Sequence, residues 1–151
     1  KRPEITVESW RNLWFHCGDR GYFDEDGYLV YVDRKKDVIR RGGENISSYE
    51  LERQVNSHPH VLESAAIPVP SELGEDEVKV CVVLQPGAEV DASELLEYVS
   101  ELVPRFMVPR YLEFVDELPR TGSLKIEKYK LVQDGLNERT FDRKTAGYVI
   151  V

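Results

Sequence analysis

The spacing of apolar residues changes several times along the chain, and each change marks an element. Between Tyr22 and Val32, aromatic and β-branched residues flank the Asp26-Gly27 pair. This predicts a β-hairpin, because an Asp-Gly turn accepts the positive φ angles that reverse two twisted strands. Ser47 followed by Glu50 is a capping-box pattern: the hydroxyl accepts from an early helix amide and the carboxylate returns to the cap amide. A helix is therefore expected from about Ser48, with Leu51 and Val55 on one face and Pro59 marking its end. Glu63 to Val69 reads as a buried strand closed off by Pro68 and Pro70, and Glu77 to Leu84 as a second strand ending at the Pro86-Gly87 turn. Asp91 with Glu94 caps another helix, whose apolar face is Leu95, Leu96, Val99, Leu102 and Val103 and which Pro104 stops. Tyr111 to Val115 reads as a third strand, the polar loop Leu118 to Ser123 leads to Lys125, and a last short helix covers Glu127 to Gln133.

These elements predict an α+β fold: a small sheet of about three strands packed with helices and preceded by a β-hairpin. The strands are few and their connections short, which argues against a doubly wound sheet. The basic stretch Arg34 to Arg41 joins the hairpin to the rest, so the expected organisation is 1–36, 37–134 and a tail at 135–151. No apolar run approaches the roughly 20 residues of a membrane helix, and no apolar stretch follows Lys1-Arg2-Pro3-Glu4 as a secretory signal requires. No membrane span and a cytoplasmic location are expected.

Charge narrows the partners. With 20 basic and 28 acidic residues among 151, the net charge is −8, which opposes attraction to a phosphate backbone. No nucleic-acid partner is expected, and Tyr22, Phe23, Tyr28 and Tyr31 read as alternating core residues of the hairpin rather than a base-stacking platform. Cys17 and Cys81 form no CxxC pair, and His16, His58 and His60 lack ligand partners at metal spacing. The acidic run Asp24 to Asp26 fails as a calcium loop, because counting from Asp24 puts Lys35 where the bidentate glutamate belongs. No metal site is expected.

Four places hold polar or glycine residues that a core does not need: Gly18-Asp19 after His16, Arg34 to Asp37, the Gly42-Gly43-Glu44-Asn45 turn, and the loop ending at Lys125. Singly, each has an ordinary reading as a turn residue, a solvated charged face, a positive-φ turn or a surface lysine. The glycine pair matches neither the P-loop nor the dinucleotide-binding pattern.

Their order and spacing together are more specific. His16-Cys17-Gly18-Asp19, Asp33 to Asp37, Gly42 to Ile46 and Pro119 to Lys125 resemble the closing part of the adenylate-forming (AMP-binding) acyl-CoA synthetases and ligases, over about Trp14 to Leu131. The Gly-Glu-Asn-Ile-Ser run and the Asp142 to Gly147 tail are similar to the crotonobetaine/carnitine-CoA ligase branch. The resemblance implies that residues 1–36 end a large N-terminal AMP-binding domain, that 37–134 is the C-terminal lid domain, and that the parent is an acid:CoA ligase placed in fatty-acid metabolism. It implies Asp19 and Arg34 as nucleotide-binding residues, Asp19 meeting the ATP ribose hydroxyls, and Lys36 as the hinge, where many members carry Asp. It implies Lys125 as the catalytic lysine of adenylation, on a flexible loop, and Gly42, Gly43, Glu44 and Asn45 as the CoA pantetheine channel. Cys17 stands where the family usually has Thr, which removes a hydroxyl near the phosphates. ATP with Mg²⁺ and CoA are the implied substrates of the full-length enzyme, with none held tightly by this piece, which alone is expected to be inactive. The implied partners are the chain's own N-terminal domain, CoA and a carboxylic acid. An adenylation domain loading a carrier protein and a non-catalytic interaction module with the same fold are the alternatives.

Overall fold

The computed structural model describes residues 2–71 and 74–148, and the chain divides into two compact units, Lys1–Asp37 and Val38–Val151. The first unit carries α1 (Pro3–Ser9), β1 (Trp10–Arg11), β2 (Trp14–Phe15), β3 (Asp19–Phe23) and β4 (Leu29–Arg34). Strands β3 and β4 pair antiparallel from Asp19↔Arg34 to Phe23↔Leu29. At their turn the Asp24 carboxylate accepts from the amides of Asp26 and Tyr28 at 3.1 and 2.8 Å, and Gly27 takes φ +83°. The hairpin is therefore present, but its aromatic residues are not core: Tyr22, Phe23, Tyr28 and Tyr31 are 51–73% exposed. A two-stranded ribbon has no second layer of its own to bury them.

The second unit runs β5 (Val38–Arg41), β6 (Glu44–Ser47), α2 (Ser48–Val55), β7 (Val61–Pro70), β8 (Asp76–Leu84), α3 (Ala92–Leu102), β9 (Tyr111–Phe114), α4 (Lys128–Asp134) and β10 (Phe141–Asp142). Ser47 caps α2 by accepting from the Glu50 amide at 3.2 Å, and Asp91 caps α3 by accepting from Ser93 at 2.8 Å. Four strands form one sheet in the order β10-β9-β8-β7. β7 and β8 are antiparallel, β8 and β9 parallel, β9 and β10 antiparallel. The parallel pair needs a crossover connection, and α3 lies within it. The fourth strand comes from the segment expected to be a tail. It is secured where Arg110 grips Asp142 through two nitrogens at 3.1 and 3.0 Å and Arg143 donates to the Pro109 carbonyl at 2.9 Å.

Alternation along β8 divides the interior. Val78, Val80 and Val82 face one cluster with Leu51, Val55, Leu95, Leu96 and Val99, whereas Cys81 and Val83 face a second with Ile67, Leu118 and Leu131. The sheet thus has helices α2 and α3 on one side and α4 on the other. Pro70 ends β7, but Pro68 lies inside it, paired with Val78. Because β7 is an edge strand, a residue without an N–H leaves no ladder bond unmade on its outer side. The second half of the basic stretch is a strand, β5, whose Ile39 meets Ile46 of β6 across the pair, both fully buried.

Candidate functional site

The loop ahead of Lys125 is a closed, internally hydrogen-bonded hairpin. Arg120 and Ile126 form an antiparallel bridge, and the Glu127 amide donates to the Pro119 carbonyl at 2.8 Å. Inside it, Leu124 N–H donates to the Thr121 carbonyl and Thr121 N–H to the Lys125 carbonyl, both at 2.9 Å. The Thr121 hydroxyl accepts from the Lys125 amide at 3.2 Å. The Lys125 side chain is exposed, and its ammonium makes no ion pair or hydrogen bond among the described residues. The hairpin thus presents a free cation at the end of a short, internally bonded turn.

Gly42 and Gly43 form the two-residue turn between β5 and β6, bracketed by the Arg41↔Glu44 pair. Their φ angles of +58° and +81° define the primed turn that suits a twisted hairpin and that side chains with a Cβ resist. The Gly43 amide donates to the Glu75 carboxylate at 3.0 Å. A Cβ on either glycine would meet no described atom within 4 Å, so backbone angle, not crowding within this chain, requires glycine there. Glu44 and Asn45 are exposed beside them, and the buried Ile39 and Ile46 root the tip in the core. Arg41 braces it, donating to the carbonyls of Phe106 and Val108 at 3.1 and 2.8 Å and pairing with Glu77 at 2.9 Å.

Helix α2 follows β6, α4 follows the Lys125 turn, and their first residues are joined. Lys128 Nζ lies 2.7 Å from both the Ser48 hydroxyl and the Glu52 carboxylate. The same Glu52 carboxylate accepts from the Ala66 amide of β7 at 2.7 Å.

In the first unit, Asp19 and Arg34 are brought together. They are Cα partners across β3 and β4, and Arg34 Nε donates to Asp19 Oδ1 at 3.3 Å. The Asp19 amide donates to Cys17 Sγ at 3.4 Å. Cys17, Gly18, Asp19, Lys35 and Lys36 share the wall of a cavity of about 530 Å³ within this unit. Lys36 is exposed in the turn closed by the Asp37 amide on the Arg34 carbonyl at 3.0 Å, next to the boundary between the units.

A larger cavity, of about 830 Å³, is lined by none of the catalytic, nucleotide-binding, hinge or channel residues expected from the sequence. At its edge Lys79 and Glu113, 1% and 3% exposed, pair at 2.6 Å. Glu113 also accepts twice from Asn137 Nδ2 at 3.1 Å. Burial pushes the Glu113 carboxyl up, but the hydrogen bonds from Lys79 and Asn137 and the nearby cations outweigh it and hold the group below its ordinary value. Cys81 beside them is pushed up to about 11 by burial, so it is an unreactive thiol.

Residues 50–125 match the AMP-binding enzyme C-terminal domain family, and the chain belongs to it. Among its relatives is a crotonobetaine/carnitine–CoA ligase of Salmonella arizonae, 36% identical over 132 residues, covering 87% of this chain and 26% of the relative. A feruloyl-CoA synthase of Amycolatopsis is 43% identical over 127 residues, covering 84% and 26%. Among solved structures, ATP-bound MatB from Rhodopseudomonas palustris superposes with a TM-score of 0.81 at 33% identity, over 89% of this chain and 27% of that one. The chain therefore spans about a quarter of the relatives it matches.

Proposed function

We propose that this chain is the catalytic lid domain of an ATP-dependent acid:CoA ligase, with the last strands of the preceding domain attached. Residues 1–37 end the large AMP-binding domain, and 38–148 form the lid and its strapped-down tail. The parent joins a carboxylate to ATP, releasing pyrophosphate, and then passes the acyl group from AMP to the CoA thiol. The free ammonium of Lys125 carries this reading. Negative charge grows on the phosphoryl oxygens as the carboxylate attacks, and a positioned cation with no partner of its own is free to stabilise it.

The other groups take consistent roles. Asp19, with Arg34 on one oxygen, accepts from the ribose hydroxyls. Lys36, in an exposed turn, absorbs the backbone change as the lid turns between half-reactions. The Gly42-Gly43 tip then meets the pantetheine arm, its open approach free of side chains. Mg²⁺ arrives with ATP. The exposed aromatics of the first unit are the face that the rest of the parent covers, and the parent works in the cytoplasm.

Relatives named for carnitine and for feruloyl acids share this region, so the acyl pocket lies in the part outside it. The test is pyrophosphate release and CoA thioester formation by the full-length protein over a panel of carboxylic acids, beside this chain alone. The proposal predicts turnover of at least one acid by the full-length protein and none by the chain alone. Adenylate formation without any CoA thioester would refute the assigned acceptor, and no adenylate with any acid would refute the ligase.

A further inference from the structure

The turn that carries Lys125 contains an unusual backbone. Leu124 has φ +64°, a left-handed conformation that an L side chain resists. Its side chain is 74% exposed, so packing does not hold it there. Hydrogen bonds do. Arg120 Nη1 donates to the Leu124 carbonyl at 2.7 Å, and on the other side of the same peptide group the Lys125 amide donates to the Thr121 hydroxyl at 3.2 Å. The peptide joining Leu124 to Lys125 is thus gripped at both its oxygen and its nitrogen, which sets the direction in which the lysine leaves the chain.

The grip has an anchor outside the turn. Arg120 Nη2 forms an ion pair with Glu63 Oε2, and Glu63 lies on β7 at the register shift that follows Val61. Both side chains are partly shielded, at 37% and 24% exposure, where an ion pair is stronger than on an open surface. A continuous path therefore runs from the sheet through Glu63 and Arg120 to the backbone of Lys125.

We infer that Glu63 and Arg120 are positioning residues for adenylation: the pair fixes the strained Leu124 peptide so that the Lys125 ammonium is held ready for the phosphoryl group. The inference rests on Lys125 being the adenylating lysine. Misplacing a catalytic group by about an ångström is enough to cost on the order of 100-fold in rate, which makes the backbone of this turn as consequential as the lysine.

The experiment uses the full-length protein with Glu63→Gln, Arg120→Met, Arg120→Lys, the Glu63→Gln/Arg120→Met double variant, and Lys125→Ala as control. Adenylation is followed by pyrophosphate exchange, the second step by thioester formation from supplied acyl adenylate, and the turn by amide hydrogen exchange. Arg120→Met is expected to lower the adenylation kcat about 10- to 100-fold with the ATP KM and the thioester step within about twofold. The double variant should be no slower than Arg120→Met, and Arg120→Lys should recover part of the rate. Amides 121, 124 and 125 should exchange faster while those of α3 keep their protection, which separates a loosened turn from a failed fold. If Lys125→Ala abolishes adenylation while Arg120→Met and Glu63→Gln leave it within about twofold of wild type, the clamp is refuted and the lysine assignment stands. If Lys125→Ala adenylates normally, the lysine assignment itself falls and the clamp loses its function with it.

Discussion

Replacing Lys79 by Met removes one half of the best-buried ion pair among the described residues. Lys79 is 1% exposed and Glu113 3%, and their charged atoms are 2.6 Å apart, so the variant leaves a carboxylate in the interior with Asn137 and the largely exposed Arg139 as its remaining cationic and amide partners. Breaking a buried pair on one side costs about 3–5 kcal/mol, a large part of the 5–15 kcal/mol typical of a domain. Adding Glu113→Gln should return part of that loss, because the neutral amide still accepts from Asn137 and no unpaired charge is left inside. Acid sensitivity should move as well. Glu113 sits below its ordinary carboxyl value, so its contribution is complete above the unfolded-state pKa and is lost as pH falls through the lowered folded one. Without Lys79, burial dominates, the folded pKa rises and acid unfolding should begin at higher pH. The assay is urea unfolding by far-ultraviolet circular dichroism between pH 7 and 3, because both tryptophans, Trp10 and Trp14, belong to the first unit. A loss below about 1 kcal/mol, or an acid limb that does not move, would refute the reasoning.

Gly43→Ala should cost about 1–2 kcal/mol from the +81° φ alone, since its Cβ meets nothing within the chain, and should slow thioester formation in the full-length protein more than adenylation. An equal effect on both steps would contradict the channel assignment. His58 is held below its ordinary pKa by burial and by His60, against the pull of Glu94. Its neutral form is therefore the one the fold prefers, and stability should fall as pH drops through the unfolded value near 6.5; His58→Gln should flatten that limb of the unfolding curve measured from pH 7.5 to 5. Lys36→Pro should impair the second half-reaction most, because proline at the third position of the Arg34–Asp37 turn constrains both itself and Lys35. Unchanged rates in both steps would remove the hinge.

The elements with local signals were legible in the sequence. Ser47 and Asp91 announce their helices because a capping side chain acts on amides two or three residues away, and Asp26-Gly27 announces its hairpin for a similar reason. What escaped was non-local. β10 is only Phe141–Asp142, too short for any periodicity, and exists because Arg110 and Asp142 meet across 32 residues. β5 was masked by its arginines, although Ile39 and Ile46 are the pair that roots the glycine turn. Pro68 would break a strand with neighbours on both sides, and edge position is a property of the whole sheet. At the site, the Asp19, Arg34, Lys36, glycine-turn and Lys125 positions came from motif order. The contact between Glu63 and Arg120 spans 57 residues and has no local signature, and Leu124 gives no hint of its left-handed backbone.

The central claim is that Lys125 serves the first half-reaction and not the second. Its most direct measurement compares the full-length protein with Lys125→Ala in two separate assays, pyrophosphate exchange with acid and ATP, and thioester formation from supplied acyl adenylate and CoA. The account predicts that exchange falls by about 100-fold or more, the scale for losing one electrostatic stabiliser of a transition state, while thioester formation stays near the wild-type rate. Equal loss in both assays, or exchange that survives the substitution, would contradict it.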